Sequence, residues 1–112
     1  MPAYRPLANS KEYRRVMSRG KRARRDGVTV VAAPSGALQG PRVGLVTKVN
    51  PRGAVARNRA RRRLREAIRA AHPRPGFDIV VGGGPETIDM EFQELVTQIT
   101  EALTETGVEC GR

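Results

Sequence analysis

A single α+β domain is what this chain predicts, on three observations. Its 112 residues are enough for one core and too few for two, so about two thirds of the unfolded surface can be buried around one centre. Segments with the 3.6-residue period of amphipathic helices alternate with short β-branched runs, and clusters of Gly and Pro separate them. In order the segments read helix, strand, strand, helix, strand, helix, with room for one more strand between residues 21 and 41.

The first helix is expected to start at Asn9 or Ser10 and run to Arg19. Either short polar side chain can fill the free amides of the first turn, and Gly20 stops the helix through the left-handed exit that glycine tolerates. Tyr13, Val16 and Met17 share one face, and core packing is its plainest use. Residues 21–27, Lys21-Arg22-Ala23-Arg24-Arg25-Asp26-Gly27, read as a charged loop. Residues 28–33 are short and β-branched, a buried strand, whereas 34–41, with Pro34, Gly36, Gly40 and Pro41, read as a hairpin-length connection. A second strand follows over 42–49. Pro51 and Gly53 in Asn50-Pro51-Arg52-Gly53 then suit neither strand nor helix.

From 54 to 71 the pattern is helical. At 100° per residue from Leu64, the side chains of Ala60, Ala67, Ile68 and Ala71 fall within about 60° of it, a narrow apolar stripe suited to close packing on a sheet. Arg59, Arg62, Arg65 and Arg69 fall on the far side, with Glu66 at helical pairing distance from Arg62 and Arg69. Arg57 and Arg61 lie on the core side but in the first turns, so they are expected to overhang the sheet edge rather than be buried at a cost. His72 before Pro73 reads as a cap, and Phe77-Asp78-Ile79-Val80-Val81 as a third strand. Gly82-Gly83-Gly84 reads as a linker, because no Lys-Ser/Thr follows and the next residues are acidic. Asp89 is expected to cap a last helix whose Phe92, Leu95, Val96, Ile99 and Leu103 form one apolar face, with Gly107 ending it. Residues 1–112 thus form one domain, with 1–5 and 107–112 expected to fray.

Charge narrows the function. Twenty-one Lys and Arg against eleven Asp and Glu give a net charge of +10, and residues 1–72 hold 19 of the cations with only Glu12, Asp26 and Glu66. The last third is acidic, so a binding face and a backside are built into one small domain. Six arginines stand in the nine residues from Arg57 to Arg65. A solvated face with that much mutual repulsion would lose stability without return, and arginine's planar fork suits phosphate. RNA is favoured over duplex DNA, since no helix-turn-helix or zinc-finger spacing is present and a sheet with a cleft handles single strands.

Other classes fit poorly. Cys110, the lone cysteine, permits neither an intrachain disulfide nor a cysteine metal site, and near the terminus it reads as a frayed, inert thiol. No nucleophile and base, carboxylate pair or metal cluster is apparent, so no catalytic residue and no metal ligand is assigned. An independent nuclease therefore lacks its acid cluster. A membrane-surface helix lacks its large apolar face. No apolar run approaches the ~18 residues of a membrane span, and the basic N-terminus lacks the apolar middle of a secretory signal, so a cytoplasmic location is expected.

Arg42-Val43-Gly44-Leu45, then Ala54-Val55-Ala56-Arg57-Asn58-Arg59-Ala60-Arg61-Arg62, then Leu64-Arg65-Glu66 resemble the RVG strand and RNR helix of the protein subunit of bacterial ribonuclease P. Lys11-Glu12-Tyr13-Arg14-Arg15-Val16 with Arg19-Gly20 is similar to the family's first helix, and residues 77–81 to its later strand. The resemblance runs from about residue 5 to 105 and is specific as an ordered set. It implies an α/β sandwich of order αβββαβα with a left-handed βαβ crossover, the hand that the general rule disfavours. It also implies a subunit that joins a large catalytic RNA and helps to remove the 5′ leader of precursor tRNA. Mg²⁺ is then held mainly by the RNA, no cofactor by the protein alone, and no obligatory protein partner is needed.

Carried over by position, Arg57, Asn58, Arg59, Arg61, Arg62 and Arg65 form the face toward the catalytic RNA. Tyr13 stands where the family has an aromatic in the leader cleft. Met17 and Val31 occupy cleft positions where some relatives have aromatics, which leaves apolar contact there. The family commonly has two adjacent lysines one residue beyond Lys48; here Lys48 joins the cleft set, and Arg14, Arg52 and Arg69 are auxiliary cations. A basic ribosomal or RNA-assembly protein is the alternative, one that explains the charge but not the ordered elements.

Overall fold

The computed structural model describes residues 5–7, 10–35, 41–47, 54–84 and 86–111. Its elements are β1 (Arg5–Pro6), α1 (Ser10–Arg19), β2 (Lys21–Arg25), β3 (Val28–Pro34), β4 (Arg42–Thr47), α2 (Ala54–Ala71), β5 (Phe77–Gly83), α3 (Glu86–Asp89) and α4 (Phe92–Glu105). The αβββαβα order is therefore present, with a two-residue strand ahead of it and a one-turn helix before α4. One five-stranded sheet of order β1-β4-β5-β3-β2 runs through this mixed α+β domain.

β5 is central, and apart from Asp78 its residues are apolar or glycine, so both faces can be covered. It pairs antiparallel with β3 from Val28↔Gly83 to Pro34↔Phe77 and parallel with β4 from Arg42↔Asp78 to Thr47↔Gly83. The hairpin expected over 34–41 does not form between paired strands, since β5 lies between β3 and β4; residues 36–40 lie outside the described residues. The 21–27 segment is not a loop either. Asp26 and Gly27 have φ of 41° and 84°, the tight turn that matches strand twist, and they return β2 onto β3 from Arg25↔Val28 to Lys21↔Ala32.

Alternation sends side chains to two faces. On one, Val28, Val30, Ile79 and Val81 pack against the α2 stripe Leu64, Ala67, Ile68 and the α4 face Leu95, Ile99, Leu103, all fully buried. On the other, Val31, Ala33 and Val80 meet Val16 of α1 and Leu7.

Four more expectations change. Gly20 is not left-handed; a Cβ there would lie 2.7 Å from both the Val16 carbonyl and Val31 Cγ1, so glycine is needed for close approach of α1 to β3. Gly82 and Gly83 belong to β5 rather than to a linker. Glu91, not Asp89, caps α4, its side chain accepting from the Glu94 amide at 3.0 Å. Residues 107–111 are also not frayed: Val108 is fully buried, Arg74 N–H donates to Glu109 O at 2.9 Å, Gly111 N–H to His72 O at 3.0 Å, and Pro73 bridges Cys110. His72 does end α2, at a left-handed φ of 52°.

Candidate nucleic-acid interface

A charge network seats α1 on its sheet face. Asp78, fully buried on β5, accepts from Arg42 Nε at 2.8 Å and Nη2 at 2.7 Å across the β4–β5 register. Arg15 of α1 donates to the same carboxylate, and Glu12 of α1 accepts from Arg42. Hydrogen bonding to Asp78 holds the Arg42 guanidinium proton more tightly than usual, against the opposing effect of desolvation. A buried carboxylate of this kind is tolerable only when fully paired, so α1 has one seating.

Beside α1 the sheet face stays open as a trough of about 380 Å³. Val31, Thr29, Val80, Gly82 and Val46 floor it, Met17 of α1 stands at one side, and Gly27, Gly84 and Glu86 lie at one end. Strand alternation in Lys21-Arg22-Ala23-Arg24-Arg25 supplies its cations. Arg22 and Arg24 line the trough, whereas Ala23 joins the opposite core and Arg25 pairs with Glu101 and Glu105 of α4 at 3.2 and 2.8 Å. A Cβ on Gly82 would meet only ordinary contacts, the nearest being Val46 O at 3.7 Å, so its missing side chain keeps the floor flat without being required by the fold.

On the other side of the sheet, the outer surface of α2 exposes Arg57, Asn58, Arg59, Arg61, Arg62, Arg65 and Arg69. Arg57 and Arg61 are therefore not buried, although the helical wheel sets them on the core side. Among the described residues no carboxylate pairs with Arg57, Arg59, Arg61, Arg62 or Arg69, and Glu66 forms no ion pair with Arg62 or Arg69. Arg63 differs: it is half-buried and donates to the carbonyls of Thr87, at 3.3 Å, and Met90, tying α2 to the α3–α4 link. One arginine of the run is structural.

The expected cleft residues separate. Met17 is 42% exposed in the trough, while Val31 is only 1% exposed and offers little beyond an edge of the floor. Tyr13 packs half-buried against the small core, its ring occupying the space that a Cβ on Gly44 would need. Arg14 is exposed on α1 and, with Lys11 and Arg19, lines a separate shallow depression. Lys48 and Arg52 lie outside the described residues. Sequence reasoning places none of Arg22, Arg24, Thr29, Val46, Gly82 and Glu86 at the cleft; the Asp26-Gly27 turn dipeptide is the signal that could have put Arg22 and Arg24 on a strand. Among the described residues no three His, Cys, Asp or Glu side chains converge as metal ligands, and no helix is long and apolar enough to cross a membrane.

Fold and site define a class, the small cationic α+β sandwich with one sheet face closed by helices and the other partly open. The family model described as Ribonuclease P matches residues 1–107, and the chain belongs to that family, whose members are protein components of an endoribonuclease ribonucleoprotein that matures the 5′ ends of tRNA. It is 38% identical over 109 residues to the ribonuclease P protein component of Roseiflexus sp., covering 95% of this chain and 88% of that one. The corresponding protein of Ruegeria pomeroyi is 42% identical over 91 residues, 73% of each chain. Among solved structures, the RNase P protein from Thermotoga maritima superposes with a TM-score of 0.73 at 23% identity, covering 89% of this chain and 96% of that one. The Staphylococcus aureus protein gives 0.73 at 20% identity, covering 92% and 95%.

Proposed function

We propose that this subunit grips two RNAs with two separate surfaces: the exposed arginines of α2 hold the catalytic RNA, and the trough takes the single-stranded 5′ leader of precursor tRNA. The observation that carries this reading is the trough itself, an apolar floor with Arg22 and Arg24 at its side and no carboxylate paired to either among the described residues. Unstacked bases rest on such a floor while guanidinium groups take the phosphates. The arginines of α2 lie on the opposite side of the sheet, which suits a protein held between a substrate strand and a scaffold. Metal chemistry is assigned to the RNA partner, which would hold Mg²⁺.

The test is 5′ cleavage of precursor tRNA by a bacterial ribonuclease P RNA at low Mg²⁺, with and without the protein. A gain in cleavage is expected; no gain overturns the proposal, and cleavage by protein alone would make it a nuclease. Gly82→Val localises the leader. It suits a strand and meets no backbone clash, so folding stability should move by less than about 1 kcal/mol, while affinity for leader-bearing precursor falls roughly tenfold as the floor is filled, about the worth of one stacked base. Unchanged affinity would remove the leader from the trough.

A further inference from the structure

Among the described residues that line the trough, Glu86 is the only acid. Its position is held from several directions. A Cβ on Gly84 would lie 2.7 Å from Glu86 Oε1, and one on Gly27 would lie 3.0 Å from both Glu86 Oε1 and Glu86 Cβ, so the side chain occupies a notch that two glycines leave open. Gly84 N–H donates to Gly27 O at 2.9 Å, which ties the end of β5 to the β2–β3 turn and fixes the notch. Buried Thr87 anchors the next residue, its amide and hydroxyl both donating to Gly84 O at 3.1 and 2.7 Å. The Glu86 side chain is nonetheless exposed, and neither Arg22 nor Arg24 pairs with it.

A carboxylate that pairs with no cation among the described residues, in a cationic, RNA-sized trough, has a definite preference. It repels a phosphodiester, so a nucleotide at this end must turn its base inward. It accepts and never donates, so it favours a base edge rich in N–H groups. Guanine alone offers two adjacent donors, N1–H and the N2 amino group, in register with two carboxylate oxygens. Cytosine and adenine offer one amino group each, and uracil flanks its single N–H with two carbonyls that a carboxylate repels. On the reading that the trough holds the leader, we infer that Glu86 is a specificity-determining residue that recognises the Watson–Crick edge of a guanine in the 5′ leader.

The experiment uses the reconstituted holoenzyme with a bacterial ribonuclease P RNA. Precursor tRNAs carry one guanine moved through successive positions of a uridine leader, each paired with an inosine version that lacks only the N2 amino group. Wild-type protein should bind the guanine form about tenfold more tightly than the inosine form at one position, the discrimination expected of a bidentate pair. Glu86→Ala should raise affinity for every leader by removing a negative charge, yet bring that ratio close to one. Glu86→Gln, which keeps the shape of the notch but offers one acceptor oxygen, should leave a ratio of threefold or less, and guards against a folding defect in the alanine variant. Discrimination absent from wild type, or retained in both variants, overturns the inference. A leaderless precursor run in parallel reports separately: wild-type affinity indifferent to the leader would overturn the trough assignment itself.

Discussion

The two faces of the sheet are built from the same strands and treat them oppositely. On the face toward α2 and α4, Val30, Ile79 and Val81 are fully buried among Leu64, Ile68, Leu95 and Ile99. One residue along, Val31 and Val80 support α1, then Thr29 and Gly82 floor an open trough. The closed face is held by apolar burial, which is non-directional and tolerates repacking. The half-open face buries only a small apolar cluster around Val16, since more would cover the trough, and its one helix is fixed in addition by the directional Arg42–Asp78–Arg15 network. Directional bonds let a small helix be placed firmly while the floor beside it stays exposed.

Leu64→Ala should have the largest effect of the changes that separate the faces. Its methyl groups fill the space above Gly83, where a Cβ would come within 2.9 Å of Leu64 Cδ1, and truncation leaves a cavity in a tightly packed layer. A loss of about 3 to 5 kcal/mol in urea unfolding is expected. That is a large share of the roughly 5–15 kcal/mol of a domain this size, and a loss below 1 kcal/mol would mean that the closed face is not the source of stability. Asp78→Ala tests the other face. It takes the shared carboxylate from two guanidinium groups that are 28% and 35% exposed; Arg42 keeps Glu12 and water recovers part of the rest, so about 2 to 3 kcal/mol is expected. The informative readout is selective hydrogen exchange: amides of α1 should lose protection before those of α2 and α4. Uniform loss would show that α1 is held by its apolar contacts after all.

Sequence revealed the closed face far better than the open one, for a physical reason. Helix periodicity is local, so the α2 stripe and the α4 face could be read directly, and Leu64, Ala67, Ile68, Leu95, Ile99 and Leu103 are all fully buried. Strand order is non-local; nothing within residues 34–41 says that β5, more than thirty residues later, will insert between β3 and β4. Four cations in β2 hid a period-two pattern in which only Ala23 is apolar, and with it hid Arg22 and Arg24. The tail looked free because its partners, residues 72–74, are distant in sequence. The exposed α2 arginines were legible from density alone, and membership of the ribonuclease P family followed from their order with the RVG strand. Glu86 was not legible, since its role comes from two glycines brought together by the β2–β3 turn and the end of β5.

The outer surface of α2 supplies the smallest and sharpest contrast, because it carries charge on a helix whose inner stripe holds the closed core. Replacing Arg57 and Arg59 together by Ala removes two exposed cations that pair with no carboxylate among the described residues. Stability should therefore change by no more than about 0.5 kcal/mol, and relief of like-charge repulsion within the helix can make the sign favourable. Binding should respond differently from its response to Gly82→Val. If both arginines contact phosphates, each releases about one counterion equivalent, so the slope of log K against log salt for the ribonuclease P RNA should fall by about 1.4 to 1.8, with the lower figure for single strands. Discrimination among leader sequences should stay as it is, since phosphate contacts position an RNA without reading its bases. An unchanged slope would make this face of α2 solvated charge, whereas a lost leader preference would mean that the helix and the trough, on opposite sides of the sheet, hold the same strand.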